Sequence, residues 1–155
     1  MKPILALLAL ILACSCAQQT VDRAKFEKLY RAAQAVEEAP LEKQLDGSLI
    51  QQLQIECAVA RTLASTEIES EMIQAYSSAE YYLEMVSIRR DNPEFKLTVD
   101  LLNVGLSKIK VADAYYEYSS PGVRDSMIEL RKKRLRDVLQ KIPESLRSPR
   151  DSKAK

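Results

Sequence analysis

Three cysteines, seven tyrosines and a set of closely spaced carboxylates are the residues here with chemistry to offer, and there is no histidine. Without an imidazole there is no Ser–His or Cys–His nucleophile pair and no His-ligated zinc or haem. Cys57 is the only cysteine outside the N-terminal region. No basic cluster surrounds it to favour its thiolate, so it reads as a small apolar core residue. Glu37, Glu38, Glu42, Asp46, Glu67, Glu69 and Glu71 are the candidates for a metal or acid–base cluster. A di-metal site in a helical bundle needs Glu-x-x-His motifs, which this chain lacks. These carboxylates read instead as a solvated helix face. The expectation is a protein that is not an enzyme and carries no cofactor or metal.

The other two cysteines close an apolar segment. Residues 1–17 read MKPILALLALILACSCA, with one lysine, an unbroken apolar run from Ile4 to Ala13, and polar Gln18-Gln19-Thr20 beyond. The run is short of the about 20 apolar residues a membrane-spanning helix needs, and has the form of a secretory signal h-region. Ile11-Leu12-Ala13-Cys14 resembles the lipobox of bacterial lipoproteins: an aliphatic residue, then a larger Leu12 than that pattern usually carries, a small residue, and the cysteine. The resemblance covers the signal segment alone. It implies a signal peptide over 1–13, diacylglyceryl transfer to the Cys14 thiol, cleavage before Cys14 and acylation of the new amine with a palmitate-like chain. Because Ser15 rather than Asp follows, it implies the periplasmic face of the outer membrane if the cell is Gram-negative. Two alternatives stay open. One is a poorer lipobox ending at Cys16. The other is ordinary cleavage after Ala17 in Ser15-Cys16-Ala17, which would release a soluble chain. Each buried acyl CH₂ contributes ~0.8 kcal/mol, so two or more chains would anchor the protein stably.

Beyond a tether over 14–19, the pattern is helical. Thr20 is a candidate N-cap, and Phe26, Leu29, Tyr30, Ala33 and Val36 follow on one face, predicting a first helix over 20–38. Ser48 with Gln51 forms a capping-box pattern that opens a second helix. Its apolar seam runs through Ile50, Leu53, Cys57, Ala60, Ala64, Ile68, Met72, Ala75, Ala79, Tyr82 and Val86 at the α-helical period of about 3.6 residues. Thr66 and Glu69 repeat the capping-box pattern partway, but the period keeps its phase across them, predicting one long helix over 48–90. Asn92-Pro93 is a stop and restart. A third helix carries Phe95, Val99, Leu102, Leu106, Ile109, Ala112 and Tyr116, with Gly105 beside the seam where it would permit close helix approach. Ser119–Gly122 is a turn, and a fourth helix runs over 123–141 until Pro143. The expected fold is all-α, an antiparallel helical bundle or extended hairpin array of about four helices over 20–142. Residues 143–155 read as a basic disordered tail.

Two surfaces could recognise a partner. Tyr76, Tyr81, Tyr82, Tyr115, Tyr116 and Tyr118 fall on helices that an antiparallel hairpin brings together, with Tyr116 near the Ile68–Met72 level and Tyr76 about one to two turns away. Such a cluster packs in a core or forms an interface patch, with Tyr76, Tyr81, Tyr115 and Tyr118 as the candidates. Residues 131–155 carry ten basic and three acidic side chains, beginning Arg131-Lys132-Lys133-Arg134, while the preceding body is acidic. Export removes nucleic acid as the partner. An anionic lipid, an acidic wall polymer or an envelope protein fits a basic segment beside a membrane, where each such residue contributes ~1 kcal/mol. Ile55 and Val59 lie off the main seam as a second apolar stripe. These readings combine into a small lipid-anchored helical envelope protein that acts by binding.

Overall fold

The computed structural model describes residues 20–91, 94–149 and 151. All regular structure among them is helical, and the helices pack in pairs. A 3₁₀ turn at Ala24–Phe26 leads into α1 (Glu27–Glu38). A single turn, α2 (Leu41–Gln44), follows, then α3 (Gly47–Leu63), α4 (Glu67–Arg89), α5 (Phe95–Glu117) and α6 (Pro121–Leu139). A second 3₁₀ turn, Glu144–Leu146, lies near the C-terminus. None of the described helices is long and apolar enough to cross a membrane.

The count therefore differs from the expected four, chiefly because the long helix over 48–90 is two helices. Ala64 and Thr66 adopt extended ψ values of 129° and 159°. Glu69 then organises the turn. Its carboxylate accepts from the Ser65 and Thr66 amides at 2.8 and 3.2 Å and from Lys25 Nζ at 2.8 Å. Its own amide donates to Thr66 Oγ1 at 3.2 Å, completing a capping box. The chain reverses here, and Arg61 on α3 reaches Ser77 and Glu80 on α4 at 2.8 and 3.0 Å. The seam kept its phase because both helices bury it on the same core, which a period of burial cannot distinguish from one straight rod. Glu69, expected on a solvated face, is 4% exposed.

Other boundaries move for local reasons. Thr20 does not cap α1; the Asp22 carboxylate accepts from the Ala24 amide at 3.0 Å and holds the preceding turn. Asp46, not Ser48, caps α3, accepting from the Ser48 amide at 3.1 Å. The Asn92-Pro93 restart lies outside the described residues. Phe95 is 52% exposed rather than buried; Thr98 turns inward in its place, its hydroxyl donating to the Arg89 carbonyl at 3.3 Å. Gly105 behaves as its position suggested: a Cβ there would stand 2.8 Å from the Leu83 side chain, so α4 and α5 meet closely. Tyr76 against Asp113, Lys108 against Tyr82 and Thr98 against Arg89 fix the two helices as antiparallel.

The segment after Pro143, expected to be a disordered tail, is docked as far as it is described. Ser148 is buried and Leu146 packs on the core, as does the buried Ile142 just before Pro143. The Ser148 amide donates to the Tyr82 hydroxyl at 3.0 Å, and Asp151 accepts from Lys108 Nζ at 2.9 Å. Composition suggested a solvated basic tail, but Leu146 gives it an apolar anchor beside the buried Ile142.

Candidate functional site

Two features stand out. The first is a groove of ≈ 700 Å³ between α4, α5, α6 and the C-terminal segment. Ala75, Val111, Leu135 and Leu139 give it apolar walls, with Tyr115 beside them. Lys108, Lys132, Arg136 and Arg147 bring cations, against Glu71, Glu144 and Asp151. Lys108 is committed to Asp151 at 2.9 Å. The Arg147 Nε donates to the Ile142 carbonyl at 3.0 Å, and Lys132 pairs with Glu129 at 3.1 Å across one helical turn. Arg136 is exposed and makes no ion pair among the described residues. The Tyr115 hydroxyl leans on Glu71 at 3.4 Å, and burial with that carboxylate pushes it up to about 12, so it stays a neutral donor. The groove can thus hold an apolar body and present cations to an anionic group.

The second feature is a polar cluster inside the helix packing. The Tyr76 ring is fully buried and its hydroxyl donates to Asp113 Oδ1 at 2.5 Å. Tyr116 sits 6.5 Å from Tyr76 and 5.3 Å from Tyr30, centroid to centroid. The Asp113 carboxyl faces that of Glu37, on the last turn of α1. Burial raises Glu37 to about 7, helped by the nearby Asp113 charge. Burial likewise raises Asp113 to about 6, against the lowering effect of the Tyr76 hydroxyl. Glu37 Oε1 and the Tyr116 hydroxyl are buried without a hydrogen-bond partner among the described residues.

The expected site residues divide between these features and the surface. Tyr115 and Lys132 line the groove, and Tyr76 belongs to the buried cluster, where no partner could touch it. Tyr81 is half-buried, packed edge-on against Tyr82 at 5.2 Å. Arg131 lies over the Tyr118 ring at 5.9 Å and pairs with Glu117 at 2.5 Å, so both serve the α5–α6 contact. Lys133 and Arg134 are exposed on α6 and make no ion pair among the described residues. Cys14 and Cys16 lie outside the described residues. Cys57 is fully buried, and burial pushes its thiol up to about 12, so the thiolate is disfavoured. Glu37, expected on a solvated face, is partly buried against Asp113; that pairing, Lys108 with Asp151, and Tyr82 as a buried hydroxyl went unrecognised from sequence. The available signal was a charge within an apolar stripe, since Lys108 and Asp113 flank Ile109 and Ala112 on α5.

No protein-family model, curated protein or solved structure matches the chain.

Proposed function

We propose that this chain is a small helical protein of the bacterial envelope, lipid-anchored through Cys14, that acts by binding an anionic partner. Its helices are read as an antiparallel bundle that serves as a rigid scaffold, with no reaction assigned to it. The observation that carries binding is the groove beside α6, where the uncommitted Arg136 stands with Lys132 and Arg147 around apolar walls. The observation that carries the anchor is the Ile11–Cys14 lipobox resemblance. Together they favour an anionic lipid or acidic wall polymer near the membrane surface, with an acidic envelope protein as the further candidate partner.

Three measurements test this. Intact mass of the mature protein, purified with detergent, is expected to fit a chain starting at Cys14 plus a diacylglycerol and one acyl chain. An unlipidated chain starting at Gln18 would overturn the anchor and leave a secreted soluble binder. Sedimentation with vesicles containing anionic phospholipid, and pull-down on acidic wall polymer, are expected to give binding that weakens with salt. Loss of neither on Arg136→Glu would remove the groove from the proposal.

A further inference from the structure

The Glu37–Asp113 contact has a donor deficit that no neighbouring side chain fills. As two carboxylates, neither group can donate, and Oε1 of Glu37 is left buried without a partner. Tyr76 supplies a single donor, to Asp113. The charged and titratable groups around the pair come from every element packed there. On α1 it is Tyr30, beneath Arg23 at 4.5 Å from its ring. On α4 it is Tyr76; on α5 they are Lys110, Tyr116 and Glu117; on α6 it is Arg131. Arg131 is engaged elsewhere, donating to Glu117 and to the Lys110 carbonyl. Lys110 is exposed and forms no ion pair with either acid. Among the described residues, therefore, no cation forms an ion pair with either of the two acids that α1 and α5 bring together.

We propose that Glu37 and Asp113 share a single proton, and that this proton latches the C-terminal end of α1 to α5, so that the contact loosens when the proton leaves. One hydrogen then supplies the missing donor and removes the like-charge repulsion in a single step. The other end of α1 stays fastened at any neutral pH, because Lys25 just before it is paired with the buried Glu69 at 2.8 Å. Loss of the proton frees the end that leads into Ala39 and Pro40, with Tyr30 against Tyr116 as the pivot. The inference does not depend on the groove or the lipid anchor.

The test is a carboxyl ¹³C titration of the mature protein, with urea unfolding midpoints from pH 5 to 8. The expected result is that Glu37 and Asp113 titrate together, well above the ordinary range of about 4. The folded-to-unfolded ratio of the wild type should fall about tenfold from pH 5 to 8. Glu37→Gln, whose amide donates at any pH, should flatten that dependence. Amide shifts over 33–38 should move with the same titration. If both carboxyls titrate below about 5, the shared proton does not exist. If Glu37→Gln keeps the wild-type dependence, the latch is elsewhere. Should that variant fail to fold, the titration of the wild type still decides.

Discussion

Tyr76 and Tyr82 stand less than two turns apart on α4, and each hydroxyl donates to an aspartate. The third group makes the two sites opposites. At Tyr82, the aspartate is Asp151 and the third group is the Lys108 ammonium, 2.9 Å away and stacked over the tyrosine ring at 5.5 Å. At Tyr76, the aspartate is Asp113 and the third group is another acid, Glu37. A buried carboxylate with a cation keeps its charge, and one with a second carboxylate must take a proton or repel. The same Tyr–Asp unit thus stands beside a cation at one site and beside a second acid at the other.

The largest effect should come from breaking the Lys108–Asp151 pair. Asp151→Asn leaves the Lys108 ammonium, whose side chain is 9% exposed, without its counter-ion. It should cost about 2–4 kcal/mol by urea unfolding, and adding Lys108→Met should recover at least half. An unchanged midpoint would mean the C-terminal segment does not lock the fold. At the other site, Tyr76→Phe removes the donor to Asp113 and should cost about 1–2 kcal/mol. It should also raise Asp113 further, read from its carboxyl resonance, since the Tyr76 hydroxyl holds it down.

A finer contrast lies in pH. Glu37 is raised above its ordinary value to about 7, so its stabilising contribution is complete below the ordinary value and is lost as pH rises through about 7. Glu37→Gln should match the wild type near pH 4.5 and exceed it by about 1 kcal/mol at pH 8, the gain being limited because Glu37 is only partly buried. The Asp151 site should show no such gain from a neutral substitution at any of these pH values. The smallest expected stability effect is at Arg136, where Arg136→Glu should change the midpoint by under about 0.5 kcal/mol while abolishing capture by anionic vesicles.

Much of this was written in the apolar spacing. The helical periods of α1, α5 and α6 were legible; hairpin register set Tyr116 one to two turns from Tyr76, whereas the two rings lie 6.5 Å apart. The α3–α4 turn was visible as Thr66 and Glu69, but continuity of phase outweighed it, because apolar period reports burial and not chain direction. What completed the turn was Lys25, 44 positions before Glu69, and no local pattern announces such a contact. Both tyrosine–aspartate sites escaped for the same reason. Asp113 and Lys108 read as odd charges near a seam, while their partners Glu37 and Asp151 sit on other elements. The groove's cations were seen in Lys132, yet Arg136 and Arg147 drew no notice among so many basic residues. Exposed charge is common, and only the walls of Leu135, Leu139 and Val111 give those a setting.

The docking of Asp151 also bears on the order of events in the chain's making. Polypeptides emerge from their N-termini, so the ammonium of Lys108 and the hydroxyl of Tyr82 are complete long before their carboxylate arrives. Until then Lys108 lacks the carboxylate that pairs with it. A product cut short by a nicked message or a protease lacks the one group that settles that cation. That ion pair therefore joins two parts of the chain that are made at different times.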